Sequence, residues 1–166
     1  GHFTGSAFVL SADGRRVLLM HHAKLGRWLQ PGGHADGDED LAAVALREAE
    51  EETGLEGLKP EPMPWPGGIL DLDAHEIPAR GAEPAHWHHD VRYALRAAPG
   101  REAFAANAES LGLAWRPVAE VAVGNHLEPA AFFFLAPAAD WFGRRSRPTP
   151  PAPLVRLVGA LEQNAV

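Results

Sequence analysis

Cysteine is absent from the 166 residues, which excludes disulfides, thiolate zinc sites and cysteine nucleophiles. Long apolar runs are missing as well. The longest, AAFFFLA at Ala130 to Ala136, falls far short of the ~20 residues a membrane-spanning helix needs. There is no surplus of basic residues; the formal net charge is −7, whereas a surface for a nucleic-acid polymer would be basic. No charged segment followed by an apolar stretch marks a secretory signal. These absences lead to the expectation of a reducing cytoplasm, with neither a membrane nor a nucleic-acid polymer as partner.

What is present is ordinary globular material, 46% hydrophobic and 22% charged, long enough to bury a core. One principal domain is expected over residues 1–136. A Pro/Arg-rich extension over 137–166 follows, with GRRSRPTPPAP leading into a short helix at Leu154 to Gln163. The acidity is local. Asp36 to Glu52 holds eight acids and one base, a net of −7, while the remaining 14 acids and 14 bases balance.

SAFVLSADGRRVLLMHH (Ser6 to His22) reads as two aliphatic strands around an Asp13-Gly14 turn. AKLGRWLQPGGHADG then reads as a loop punctuated by Pro31, Gly32, Gly33 and Gly37. A helix is expected from about Asp38 to Thr53, with Asp36 or Asp38 as N-cap and Gly54 closing its C-terminus. Pro60 to Gly68 is too rich in proline for regular structure. Ile69 to Ile77 and His86 to Ala97 alternate with period two and suggest a hairpin. Ser110 to Pro117 is a further strand and Val118 to Val123 a short helix. Strands around one strong helix imply a mixed α/β fold with helices flanking a sheet.

The helix carries the most informative pattern. At about 100° per residue, Val44, Ala45, Glu48, Glu51, Glu52 and Leu55 share one face and Glu50 points away. An apolar stripe thus continues into carboxylates. Four glutamates within Arg47 to Thr53 repel one another, and burying such carboxylates unpaired is prohibitive. Two readings stay open on the residues alone: a solvated acidic face, or an oxygen-only site for a hard divalent cation such as Mg²⁺ or Mn²⁺. The adjacent Gly32 and Gly33 would let a backbone carbonyl approach such an ion.

Written out, Gly33 to Leu55 fits G-x5-E-x7-R-E-U-x-E-E-x-G-U, where U is a bulky aliphatic, through Gly33, Glu39, Arg47, Glu48, Glu51, Glu52 and Gly54. This resembles the signature box of the Nudix hydrolases. Ala49 departs from the pattern at its first aliphatic position, which should weaken packing locally. Together with Val17 to Gly33 the resemblance covers about a quarter of the chain. It implies an α/β/α sandwich with a central mixed sheet, and Mg²⁺- or Mn²⁺-dependent hydrolysis of a nucleoside diphosphate linked to another group X. Carried over by position, Glu48, Glu51 and Glu52 would ligate metal, with the Gly32 carbonyl also available and Glu109 as a further acid. Arg47 would orient a neighbouring glutamate, Glu39 would be structural, and Glu48 is the choice for general base. The isomerase branch of the fold needs a cysteine, so it is disfavoured. A nucleotide-binding domain without turnover is the alternative, and a homodimer is in keeping with the family.

Outside the box, HWHHD places His86, His88 and Asp90 on one strand face, and Asp71, Asp73 and His75 share a face of the neighbouring strand. If the two strands pair, a His/Asp cluster forms. It reads as a phosphate contact, a softer metal site or a hydrogen-bonded polar patch. His34 reads as a loop histidine. Lys24, Arg27, Arg92 and Arg96 are candidate phosphate contacts or surface charge, and Trp28, Trp87, Trp115 and Tyr93 are base-stacking candidates or core. The group X would be read by 60–68, 79–84 and 99–108.

Overall fold

A computed structural model describes residues 1–118 and 121, apart from 25, 64, 106 and 109. The helices expected at 154–163 and, but for Val118 and Val121, at 118–123 lie outside these residues, as do Glu109 and the 136/137 boundary.

The strands are β1 (His2–Leu10), β2 (Arg16–His22), β3 (Arg27–Leu29), β4 (Gly32–His34), β5 (Lys59–Pro60), β6 (Ile69–Ile77), β7 (His86–Arg96) and β8 (Ser110–Pro117). They form one sheet, with β1 at its centre. One edge of β1 pairs in parallel along its whole length with β7, from His2↔His88 to Leu10↔Arg96. The other edge is divided. Its C-terminal end pairs with β2 (Val9↔Leu18, Leu10↔Val17), and its N-terminal half pairs with β4 (Thr4↔His34, Gly5↔Gly33, Ser6↔Gly32). β6 and β7 make the expected antiparallel hairpin, and β8 lies against β2. Parallel and antiparallel pairing coexist, so the sheet is mixed.

Strand β1 is buried from Thr4 to Leu10, as its unbroken AFVL run requires when both sheet faces are covered. The core joins Phe8 and Leu10 to Leu18, Met20, Leu55, Leu70 and Leu95. The Asp13-Gly14 turn closes the β1–β2 hairpin: Gly14 has φ 70° and its N–H donates to the Ser11 carbonyl at 2.8 Å.

Two expectations need correction here. The segment 23–37 contains two short strands: β3 folds back antiparallel on β2, and β4 completes the divided edge of β1, whose backbone groups would otherwise be unpaired. The helix α1 (Leu41–Thr53) begins later than expected, and its N-cap is Asp40, whose carboxylate accepts from the Ala43 N–H. Asp36 and Gly37 both take positive φ (50° and 90°), forming a turn that postpones the helix. At the other end Gly54 caps α1 in the left-handed conformation, φ 67°, with its N–H on the Glu50 carbonyl.

α1 lies directly on the sheet through Gly5. A Cβ on that glycine would stand 2.7 Å from the Leu41 carbonyl oxygen and 3.1 Å from the Ala45 nitrogen, both helix backbone. Neither atom can swing aside, so Gly5→Ala must lift α1 off β1. A loss of about 1–3 kcal/mol is expected from such overpacking, read as a lower denaturant midpoint at unchanged slope.

Candidate active site

The helix face is narrower than the simple wheel indicates. Val44, Ala45, Ala49, Glu52 and Thr53 are buried, Glu48 is half-buried and Glu51 is exposed. Glu51 therefore flanks the inward stripe instead of belonging to it. Ala49 occupies the middle of the stripe, fully buried in the core, where a small side chain lets helix and sheet close up. Glu50 is also more than a solvent-facing charge. Its Oε1 accepts the Gly57 N–H at 2.9 Å and the Leu58 N–H at 3.4 Å, tying down the chain beyond the helix.

β4 brings the glycine turn against these carboxylates. The Gly32 N–H donates to Oε2 of Glu52 at 2.9 Å, and Glu52 is only 5% exposed. A Cβ on Gly33 would lie 2.5 Å from the carboxyl carbon of Glu48, and one on Gly32 only 2.4 Å from the Ser6 Cβ. Adjacent strand residues face opposite ways, so Gly32 meets β1 and Gly33 meets the helix. Both positions exclude a side chain. Arg47, at the exposed margin, donates from Nη2 to Oε1 of Glu48 at 3.0 Å and lies 4.0 Å from Asp38.

Comparison with known proteins agrees with this arrangement. The NUDIX domain family model matches residues 2–142. This chain belongs to the NUDIX family. Among solved structures, an Ap4A hydrolase from C. elegans is similar over 87% of this chain and 100% of its own, with a TM-score of 0.61 at 16% identity. A hydrolase of the NUDIX family from Clostridium perfringens is similar over 85% and 97%, with a TM-score of 0.55 at 20% identity. At those identities the likeness is one of fold, and the mixed sheet with its helix is that of the α/β/α sandwich. A separate, short likeness of 60% over 50 residues, 30% of this chain, is to a glycerol-3-phosphate acyltransferase of Pseudomonas fluorescens. The matched stretch spans only 6% of that protein.

This NUDIX domain carries a second polar group on the sheet face turned away from α1. Arg92, a candidate phosphate contact by sequence, is buried there and committed to an internal network. Its Nε donates to Asp90, Nη1 to Asp71 and Nη2 to Asp73, at 2.9, 2.9 and 2.7 Å. Asp90 further accepts the hydroxyls of Thr4 and Ser6 at 2.9 and 3.0 Å. The side chain is therefore neither a loose surface charge nor without partners, because the β6–β7 register (Asp71↔Arg92, Asp73↔Asp90) places carboxylates around it. Arg96 is likewise engaged, with Glu61 and with the Ser11 and Ala12 carbonyls. Arg27 stands exposed on β3.

Beyond this network the same face ends in histidines. The β6–β7 pairing sets His75 opposite His88, with ring centroids 5.6 Å apart. Two members could not be placed from sequence. His2 reaches the group through the parallel His2↔His88 register, and His34 lies on β4 instead of a free loop. The His2 ring is 4.4 Å from His34, 4.9 Å from His86 and 4.6 Å from His88, centroid to centroid. Burial, reinforced by His2, His34, His75 and His86, pushes the His88 imidazolium down to about 4. Of the base-stacking candidates, Trp28 is exposed and stacked on His21, Trp87 is half exposed and Tyr93 is core.

Replacing Arg92 by Leu would leave three carboxylates on a largely buried face without their cation. We expect a loss of about 3–5 kcal/mol of folding stability in chemical denaturation, with Asp71→Asn costing less than Arg92→Leu.

Proposed function

We propose that this Nudix hydrolase cleaves a phosphoanhydride bond in a nucleoside diphosphate linked to a second moiety X, using Mg²⁺ or Mn²⁺, in a reducing cytoplasm. One observation supports the reading above others: every charged and glycine position of the box is present, and its glycine turn is packed against Glu48 and Glu52 at the inner end of the helix. The donor set fits a hard divalent cation. Glu48, Glu51, Glu52 and the Gly32 carbonyl offer only oxygen, and Gly33 lacks the Cβ that would displace the Glu48 carboxyl. When bound, the ion would neutralise phosphate charge and polarise the scissile bond.

The remaining work falls to the chain's own groups. A Glu48 carboxylate oxygen takes the proton of the attacking water as the new P–O bond forms and the bridging oxygen departs with its electron pair. Arg47 holds Glu48 by a charge-assisted hydrogen bond. Glu52 is fixed by the Gly32 N–H, which positions the turn and the carboxylate relative to one another. Arg27, exposed on β3, is available to a phosphate. Moiety X is read by the segments 60–68, 79–84 and 99–108. A binding domain without turnover would tolerate loss of box acids, and all of them are retained here.

A panel of nucleoside diphosphate derivatives, assayed for release of a nucleoside monophosphate or phosphate with and without EDTA, tests the proposal. Turnover should require the divalent ion, and Glu52→Gln should lower kcat by roughly 100-fold or more while keeping the Gly32 hydrogen bond and the fold. Undiminished turnover of the variant would sink the assignment. Cation binding should also relieve the carboxylate repulsion. At a metal concentration 100-fold above Kd, linkage adds about 2.7 kcal/mol, which is roughly 5–10 °C in Tm for a chain of this size. Calorimetry with and without millimolar Mg²⁺ measures that shift, and the Glu52→Gln variant should lose most of it.

A further inference from the structure

The histidine cluster is independent of the carboxylate site. Gly33 turns toward Glu48, so His34, the next residue of β4, turns to the opposite face. Three strands deliver the imidazoles: β1 brings His2, β4 brings His34, and β7 brings His86 and His88. One ring nitrogen from each of His2, His34 and His88 lies within 4.8 Å of the others.

A hydrogen-bonded polar patch would pair its buried nitrogens, and this one does not. Nε2 of His2 and Nε2 of His86 are buried without a hydrogen-bond partner among the described residues, an uncommon state for such groups. For His86 the tautomer of the neutral ring follows from its neighbour: Nδ1 is 2.9 Å from the Pro84 carbonyl oxygen, which can only accept, so in that ring Nδ1 is the donor and Nε2, 4.0 Å from the Glu83 carboxylate, carries the lone pair. His75 is set similarly, with Nδ1 3.0 Å from the Asp73 carboxylate. An imidazole anchored through one nitrogen, with the other left as a lone pair, is the arrangement that orients histidine ligands in metal sites. The charge behind the cluster has the matching sign, since three carboxylates, Asp71, Asp73 and Asp90, surround the one Arg92 guanidinium.

We propose that His2, His34 and His88, closed by His86, form a second metal site, specific for a borderline-soft divalent cation of the zinc class. Imidazole nitrogen selects Zn²⁺, Ni²⁺ or Co²⁺ over Mg²⁺. With Zn–N bonds of about 2.0–2.1 Å, tetrahedral ligand nitrogens are roughly 3.4 Å apart. His2, His34 and His88 therefore have to draw together by about 1.4 Å at most from their 4.8 Å limit, a movement that side-chain rotation supplies in two half-buried residues and one exposed one. The ion ties the N-terminal end of β1 to β4 and β7 and is held apart from the box carboxylates by the thickness of the sheet.

The test uses the full chain without a polyhistidine tag, stripped with chelator and titrated with ZnCl₂, and with CoCl₂ for the visible absorption of a tetrahedral nitrogen site. The expected result is one equivalent of zinc retained through gel filtration in millimolar Mg²⁺, with the intense cobalt bands of four-coordination. His34→Ala, at an exposed position, and His86→Gln should each weaken zinc binding by more than the roughly 10–100-fold typical of a change beyond the ligands themselves. Circular dichroism should show both variants folded. Glu52→Gln should retain its zinc, so failure of the hydrolase assignment leaves this test intact. No zinc on the stripped and reloaded chain, undiminished binding by His34→Ala, or loss of the zinc in Glu52→Gln would each overturn the proposal.

Discussion

The close approach of glycine backbone to its neighbours is the constraint on which the rest of the molecule depends. Gly5 lets the backbone of α1 rest on β1. Gly32 lets β4 pair beside Ser6, and Gly33 leaves room for the Glu48 carboxyl. A methyl group at any of the three would have to occupy space already filled by backbone or by a neighbouring side chain. With them in place, the C-terminal half of α1 and the β4 turn meet, and Glu52 receives the Gly32 N–H. The divided outer edge of β1, shared by β2 and β4, makes the same meeting possible from the side of the sheet.

That geometry sorts a crowded set of charges into groups with different physics. Glu52 is buried and hydrogen-bonded, Glu48 is half-buried and held by Arg47, Glu51 is exposed at the rim, and Glu50 binds the chain that leaves the helix. The opposite face of the sheet is organised by a different rule. Arg92 is surrounded by three carboxylates, and the imidazoles gather beyond it. The box carboxylates lie on the helix side, and the imidazoles lie on the other side beyond the Arg92 network.

Much of the frame was legible in the chain itself. The period-two runs of β6 and β7, the Asp13-Gly14 turn and the Gly54 cap all depend on neighbours close in sequence, where steric rules act directly. The helix was legible in type and its end was right, but its start was displaced by the Asp36-Gly37 turn, whose positive φ values propensity alone does not reveal. β3 and β4 were hidden for another reason. Each is three residues long, too short for a periodic signal; β3 folds back on the neighbouring β2, and β4 exists because the distant β1 offers an unpaired edge.

The box spacing by itself determined that Glu48, Glu51, Glu52 and Arg47 would gather near one end of a helix beside a glycine turn, because i, i+3 and i+4 positions converge on any α-helix. Only the tertiary structure decided which of those carboxylates is buried, since that depends on where the sheet meets the helix. It also decided that Arg92 is an internal counter-ion and that His2 joins His34, His86 and His88. Those relations rest on the β6–β7 and β1–β4 pairings and on the parallel register of β1 with β7, which joins residues some 86 positions apart. No local periodicity encodes such a pairing, because it is selected by burial of the whole strand.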